Sequence, residues 1–169
     1  MAPEYSGTPF SDIRQCLTAL VRHCLTPQTV GDRGAALLSL KIVEDERTPP
    51  AEPATDDQHE AADMAAVLSV LSKVVDKQHI PSSKDRRVLR FVLPIYEDHD
   101  GAPLRGAPLL SRRTIAGEEV IDGDKVVAPA TIRTSYEPKA LDWLGVILVQ
   151  LEAERRGEEP PADLPHLAP

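Results

Sequence analysis

Aromatic side chains are scarce in this chain of 169 residues: two Phe, three Tyr and one Trp. A core with so few rings must be built from Leu, Val, Ile and Ala, a mixture that suits packed helices. Cysteine is scarcer still, with Cys16 and Cys24 only. On a helix these two would stand about 12 Å apart along the axis, beyond disulfide reach. They are expected as free thiols in a reducing compartment, and nothing near the adjacent His23 completes a metal or nucleophile site. No run approaches the roughly 18 continuous apolar residues of a membrane span. Met1 to Pro9 lack the basic start and apolar run of a signal peptide, so the cytoplasm is the expected compartment.

Catalytic motifs are missing as well. There is no Gly-x-Ser-x-Gly and no Walker loop, and Gly31-Asp32-Arg33-Gly34 lacks the Lys-Ser/Thr of a phosphate cradle. Asp98-His99-Asp100-Gly101 and Asp122-Gly123-Asp124 each match part of a calcium loop without its remaining ligands or terminal Glu. Both read as solvated turns. His23, His59, His79, His99 and His166 are scattered without metal-ligand spacing. The sequence therefore points to a protein that is not an enzyme and needs no cofactor.

Proline and acidic residues are what the chain has in excess. Its 16 prolines concentrate in Thr48–Pro53 and from Pro160 to Pro169, composition that reads as linker and disordered end. The net charge is −8, unfavourable for non-specific nucleic-acid binding. It is unevenly spread. Residues 1–83 carry 7 basic and 12 acidic side chains, residues 84–139 carry 10 and 9, and residues 140–169 carry 2 and 6. Only the middle segment approaches a phosphate backbone without net repulsion.

Hydrophobic periodicity predicts a mainly α protein, a small helical bundle. Ser11 is the expected cap of a first helix with Ile13, Leu17, Leu20, Val21 and Cys24 on its apolar stripe, and Pro27 is expected to end it. The run Ala35–Val43 is apolar nearly all round and fits a buried helix better than a core strand. A loop over 44–57 leads to the strongest helix, about Asp57–Gln78, whose apolar face is Ala61, Met64, Val67, Leu68, Leu71, Val74 and Val75. Ser82-Ser83-Lys84-Asp85 opens a fourth helix, with Val88, Leu89 and Val92 inward and Arg86, Arg87 and Arg90 over the rim. After a Gly- and Pro-rich connector, a helix over Leu109–Glu119 and a helical run towards Arg156 are expected. Leu141, Leu144, Ile147, Leu148 and Leu151 share one face of that run. The domain organisation is an N-terminal helical region over 1–96, a second region over 97–156, and a disordered Pro-rich tail over 157–169.

The second region carries the one functional pattern, a helix-turn-helix-like arrangement. Ala116 or Gly117 would permit close approach of a second helix, Val127 would close the turn, and Pro129 suits a first helical position. Thr131, Arg133 and Thr134 would then face outward while Ile132 packs. Arg112 and Arg113 would hold phosphates at the flank. Two features depart from that plan: the connection is several residues too long, and Ala128 stands where a Ser cap is usual. Asp122-Gly123 between Val120-Ile121 and Val126-Val127 also signals a β-hairpin, which makes a short hairpin near 118–128 the alternative to a turn.

Thr131-Ile132-Arg133-Thr134-Ser135-Tyr136-Glu137-Pro138, followed by Leu141, Leu144 and Leu148, resembles a pattern in uncharacterised actinobacterial proteins. These have an N-terminal helical region and a C-terminal helix-turn-helix-like end; the Arg87-Val88-Leu89-Arg90 helix is similar too. The resemblance spans roughly Lys84 to Glu154 and implies architecture rather than activity. Two functions are expected from these observations. One is DNA binding or a transcription-associated role through Arg112, Arg113, Thr131, Arg133 and Thr134. The other is a protein-interaction adaptor, or subunit of a larger complex, built on a degenerate helix-turn-helix. In the second case the apolar faces of the 61–75 and 141–151 helices would dock a protein partner or a second copy.

Overall fold

A computed structural model describes residues 9–77, 79–119, 121–122 and 125–168. The protein is mainly helical, as its periodicity predicts. Helix α1 spans Pro9–His23, so Ser11 lies inside its first turn rather than before it. Cys24 adopts a left-handed φ of 68° and ends the helix three residues ahead of Pro27. Pro27 instead opens α2, Pro27–Arg33, with Thr26 capping through its side chain on the Thr29 N–H.

The apolar run from Ala35 is broken in two, α3 over Ala35–Leu38 and α4 over Lys41–Glu46. Leu40 is extended at the start of α4 and has no capping side chain of its own. The cap comes from far along the chain. Glu152 accepts from the Lys41 and Ile42 N–H groups at 2.9 and 3.1 Å, placing a carboxylate at the positive end of α4. Glu152 is only 8% exposed. Burial pushes its carboxyl up, but the Lys41 N–H, Arg156 and the Ile42 N–H together hold it below the ordinary value.

The long helix α5 runs over Asp56–Asp76 behind a capping box in which Thr55 and Gln58 each accept the other's backbone N–H. Met64, Val67, Leu71, Val74 and Val75 are buried as predicted, whereas Ala61 is exposed and Val70 takes a place on the inner face. Helix α6, Ser83–Val92, starts at Ser82, whose hydroxyl caps the Asp85 N–H. The expected connector contains a two-residue hairpin, β1 Asp98–His99 with β2 Ala102–Pro103. Asp100 and Gly101 turn it with φ values of 50° and 80°, the conformation an Asp-Gly hairpin turn needs.

Helix α7 occupies Leu109–Glu119 as expected. A second antiparallel hairpin follows, β3 Ile121–Asp122 with β4 Lys125–Val126. The chain then becomes helical from Pro129 to Arg156 in three pieces: α8 Pro129–Thr131, a π-helical turn Ile132–Tyr136, and α9 Glu137–Arg156. Pro138 explains the π turn. It has no N–H to give the Thr134 carbonyl, and its ring crowds that carbonyl. The chain widens, and the Glu137 N–H bonds the Ile132 carbonyl five residues back.

Helix α9 is the centre of the molecule, packed against α1, α4, α5 and α6. Leu141, Leu144, Val146, Ile147, Leu148 and Val149 are all buried, each leucine contributing roughly 1.5–3 kcal/mol of transfer free energy. The apolar faces of α5 and α9 are therefore consumed by the chain's own core, which removes them as the expected docking surfaces. Gly157 ends α9 at φ 70°, with the Glu158 N–H on the Ala153 carbonyl. Residues 157–168 carry no helix or strand, and Leu164 among them packs partly buried against the core. No helix among the described residues is long and apolar enough to cross a membrane.

Candidate functional site

The predicted binding residues lie on α7 and on the α8–π segment, joined by the β3–β4 hairpin. Where a helix-turn-helix would have a short turn, this connection is a pair of strands. Its Asp-Gly signal, flanked by Ile and Val, is the local reason. The close approach foreseen at Gly117 is present. The Val127 N–H bonds the Gly117 carbonyl at 3.0 Å, and a Cβ on Gly117 would lie 1.9 Å from the Val127 carbonyl oxygen. Only glycine fits there. Ala116 and Ile132 are fully buried beside it.

Successive helical residues are turned by about 100°, so Arg112 and Arg113 on α7 meet different surroundings. Arg112 is 0% exposed. Its Nη2 donates to the Val21 carbonyl at 2.9 Å, its Nε to the Ala107 carbonyl at 3.2 Å, and its Nη1 to the Val92 carbonyl. Val21 and Val92 stand in the last turns of α1 and α6, where carbonyls lack helical partners and the helix end is negative. Arg112 thus satisfies two helix C-termini and the connector at once. Burial lowers its guanidinium below the ordinary arginine value, offset in part by Cys24 and Glu137. It cannot hold a phosphate, which corrects the reading of Arg112 as a phosphate contact.

Arg113 is also occupied. Its Nε and Nη2 meet the two carboxylate oxygens of Glu137 at 2.8 Å each, a bidentate pair with side-chain exposures of 16% and 10%. The pair ties α7 to the start of α9, so the second expected phosphate contact is neutralised within the fold. Sequence reading missed Glu137 as its partner because 24 residues and a hairpin separate them.

Thr131, Arg133 and Thr134 are exposed as expected. The Thr134 hydroxyl donates to the Ala130 carbonyl at 2.9 Å, which leaves only its acceptor capacity outward. Arg133 makes no hydrogen bond or ion pair among the described residues. The exposed charges at this end are mixed, Lys125, Arg133 and Lys139 with Glu118 and Glu119. Leu110 on α7 and Val126 on β4 are the large apolar side chains left in solvent here, 66% and 67% exposed.

The partial calcium loop around His99 becomes the β1–β2 hairpin. Its imidazole packs edge-on against Phe91 at 5.0 Å and meets Glu119 Oε1 at 3.0 Å. No group of three or more potential metal ligands assembles among the described residues. Compared with known proteins, the chain matches no family model, no curated protein and no solved structure.

Proposed function

We propose that the chain is a non-catalytic cytoplasmic adaptor that binds a protein partner through the outer side of α7, the β3–β4 hairpin and α8. One observation carries this reading: the two α7 arginines that would clamp a phosphate backbone are spent inside the fold. What remains outward is Leu110, Val126 and small side chains such as Ala128 and Ala130, among charges of both signs rather than a run of cations. Protein interfaces favour apolar side chains within a polar rim, whereas DNA demands clustered positive charge.

A tagged wild-type chain and a Leu110→Asp/Val126→Asp variant, compared by cross-linking and size-exclusion chromatography, test the reading. The expected result is a stable partner or self-association that the variant loses without a drop in Tm. Wild type that stays monomeric and captures no partner sinks it.

Exposed Thr131 at the end of α8, with Arg133 and Thr134 in the π turn that follows, supports DNA binding as the second reading. Electrophoretic shift with wild type and Arg133→Ala separates the two. Salt-sensitive DNA binding at micromolar protein, lost in Arg133→Ala, replaces the adaptor reading with this one.

A further inference from the structure

The arginines of α6 have a different setting from those of α7. Ser83, Arg86, Arg87 and Arg90 follow the i, i+3, i+4, i+7 spacing that puts side chains on one helical face. Together with Asp76 they line a surface cavity of about 190 Å³. Three guanidinium groups against one carboxylate make it a local cationic pocket on a chain whose net charge is −8.

Each guanidinium is tethered at one corner. Arg86 Nη1 donates to the Ile80 and Pro81 carbonyls at 2.6 and 3.2 Å. Arg87 Nη1 reaches the Glu119 carbonyl at 3.5 Å. Arg90 Nη2 bonds Asp76 Oδ1 at 3.2 Å, and that same oxygen accepts the Tyr96 hydroxyl at 2.7 Å. A guanidinium has five N–H donors, so these anchors fix orientation and leave donors to spare. Ser83 adds a hydroxyl at the positive end of a ten-residue helix.

We infer that this pocket binds one phosphate monoester group, held by Arg86, Arg87, Arg90 and Ser83. Guanidinium forks match the tetrahedral oxygens, and a dianion offsets the excess charge where Asp76 alone does not. The cavity accommodates the phosphate itself, so whatever carries the group lies outside. A polyanion is disfavoured by the surroundings: α7 ends in Glu118 and Glu119 beside Arg87, and Glu97, Asp98 and Asp100 follow α6. The inference is independent of the docking face assigned to α7 and α8.

Calorimetric and NMR titrations of the full chain with inorganic phosphate, a phosphoserine peptide and duplex DNA test it, with sodium chloride matched throughout. Saturable 1:1 phosphate binding is expected with Kd of about 1 mM or tighter. Arg87→Gln, at an exposed position, should weaken it about tenfold. Ser83→Glu should abolish it while leaving the fold intact, because a carboxylate suits the first turn of a helix. Lys41→Gln carries the same charge change as Arg87→Gln and should bind as wild type does. Tighter binding of the phosphoserine peptide assigns the group to a modified protein, and equal affinity assigns it to free phosphate; both support the site. No saturable phosphate binding, unchanged affinity in Ser83→Glu, or duplex binding that phosphate does not displace would each overturn it.

Discussion

Helices α6 and α7 each carry a pair of adjacent arginines, and the fold treats them in opposite ways. Arg86, Arg87 and Arg90 stay at the surface around a cavity. Arg112 and Arg113 are drawn in, one onto three carbonyls and the other onto Glu137. Nothing in Arg86-Arg87 or Arg112-Arg113 as dipeptides distinguishes the two. The difference lies in what stands opposite: α7 faces two helix C-termini and a carboxylate, while α6 turns its arginines away from the core. An arginine pair is a binding signal only after the fold has taken its share.

Replacing the arginines one at a time sharpens this contrast. Arg112→Met should cost about 3–5 kcal/mol, because it strands three buried carbonyls, measured by urea unfolding. A loss under 1 kcal/mol would mean that Arg112 is not the clasp described. Removing Arg113 or Glu137 should each cost about 2 kcal/mol, and a double-mutant cycle should show that the two losses do not add.

Asp85 on α6 gives a smaller effect with a pH signature. It is 2% exposed with Oδ2 unpartnered. Burial raises its carboxyl above the ordinary aspartate value, against opposing influence from Lys139 and Ser82. A raised folded value means the native state holds the proton more tightly. The associated stability is present below the unfolded aspartate value and is lost as pH rises through the folded one. Asp85→Asn should therefore match wild type in acid and exceed it near neutrality by on the order of 1 kcal/mol. Unfolding curves across that range check the sign. Last, Arg87→Gln should change stability by less than about 0.5 kcal/mol, as an exposed position predicts. A larger loss would erase the distinction between α6 and α7.

Much of the helical layout is legible in the sequence, because caps and apolar stripes act over a few residues. Helix α7 is bounded as predicted, α5 within two residues, and the Asp-Gly hairpin signal at 121–126 is realised in strands. What was hidden depends on distant partners. The break between α3 and α4 cannot be read from Ala35–Val43, because the carboxylate that caps α4 belongs to Glu152. The burial of Arg112 is equally invisible, since its acceptors lie 5, 20 and 91 residues away. The α6 pocket had a readable trace in the Ser83, Arg86, Arg87, Arg90 spacing, but a solvated rim has the same spacing. Asp76, which makes it a cavity, comes from another helix.

The central position of α9 also sets a timetable for synthesis. Helices α1 and α6 are translated well before α9, which packs against both, and α4 waits for the same segment to supply its cap. Roughly sixty residues separate the end of α6 from the end of α9, about 3–12 s of elongation at 5–20 residues per second. During that interval the sides of α1 and α6 that pack on α9 are without their final cover. The native arrangement closes late, from its C-terminal side inward.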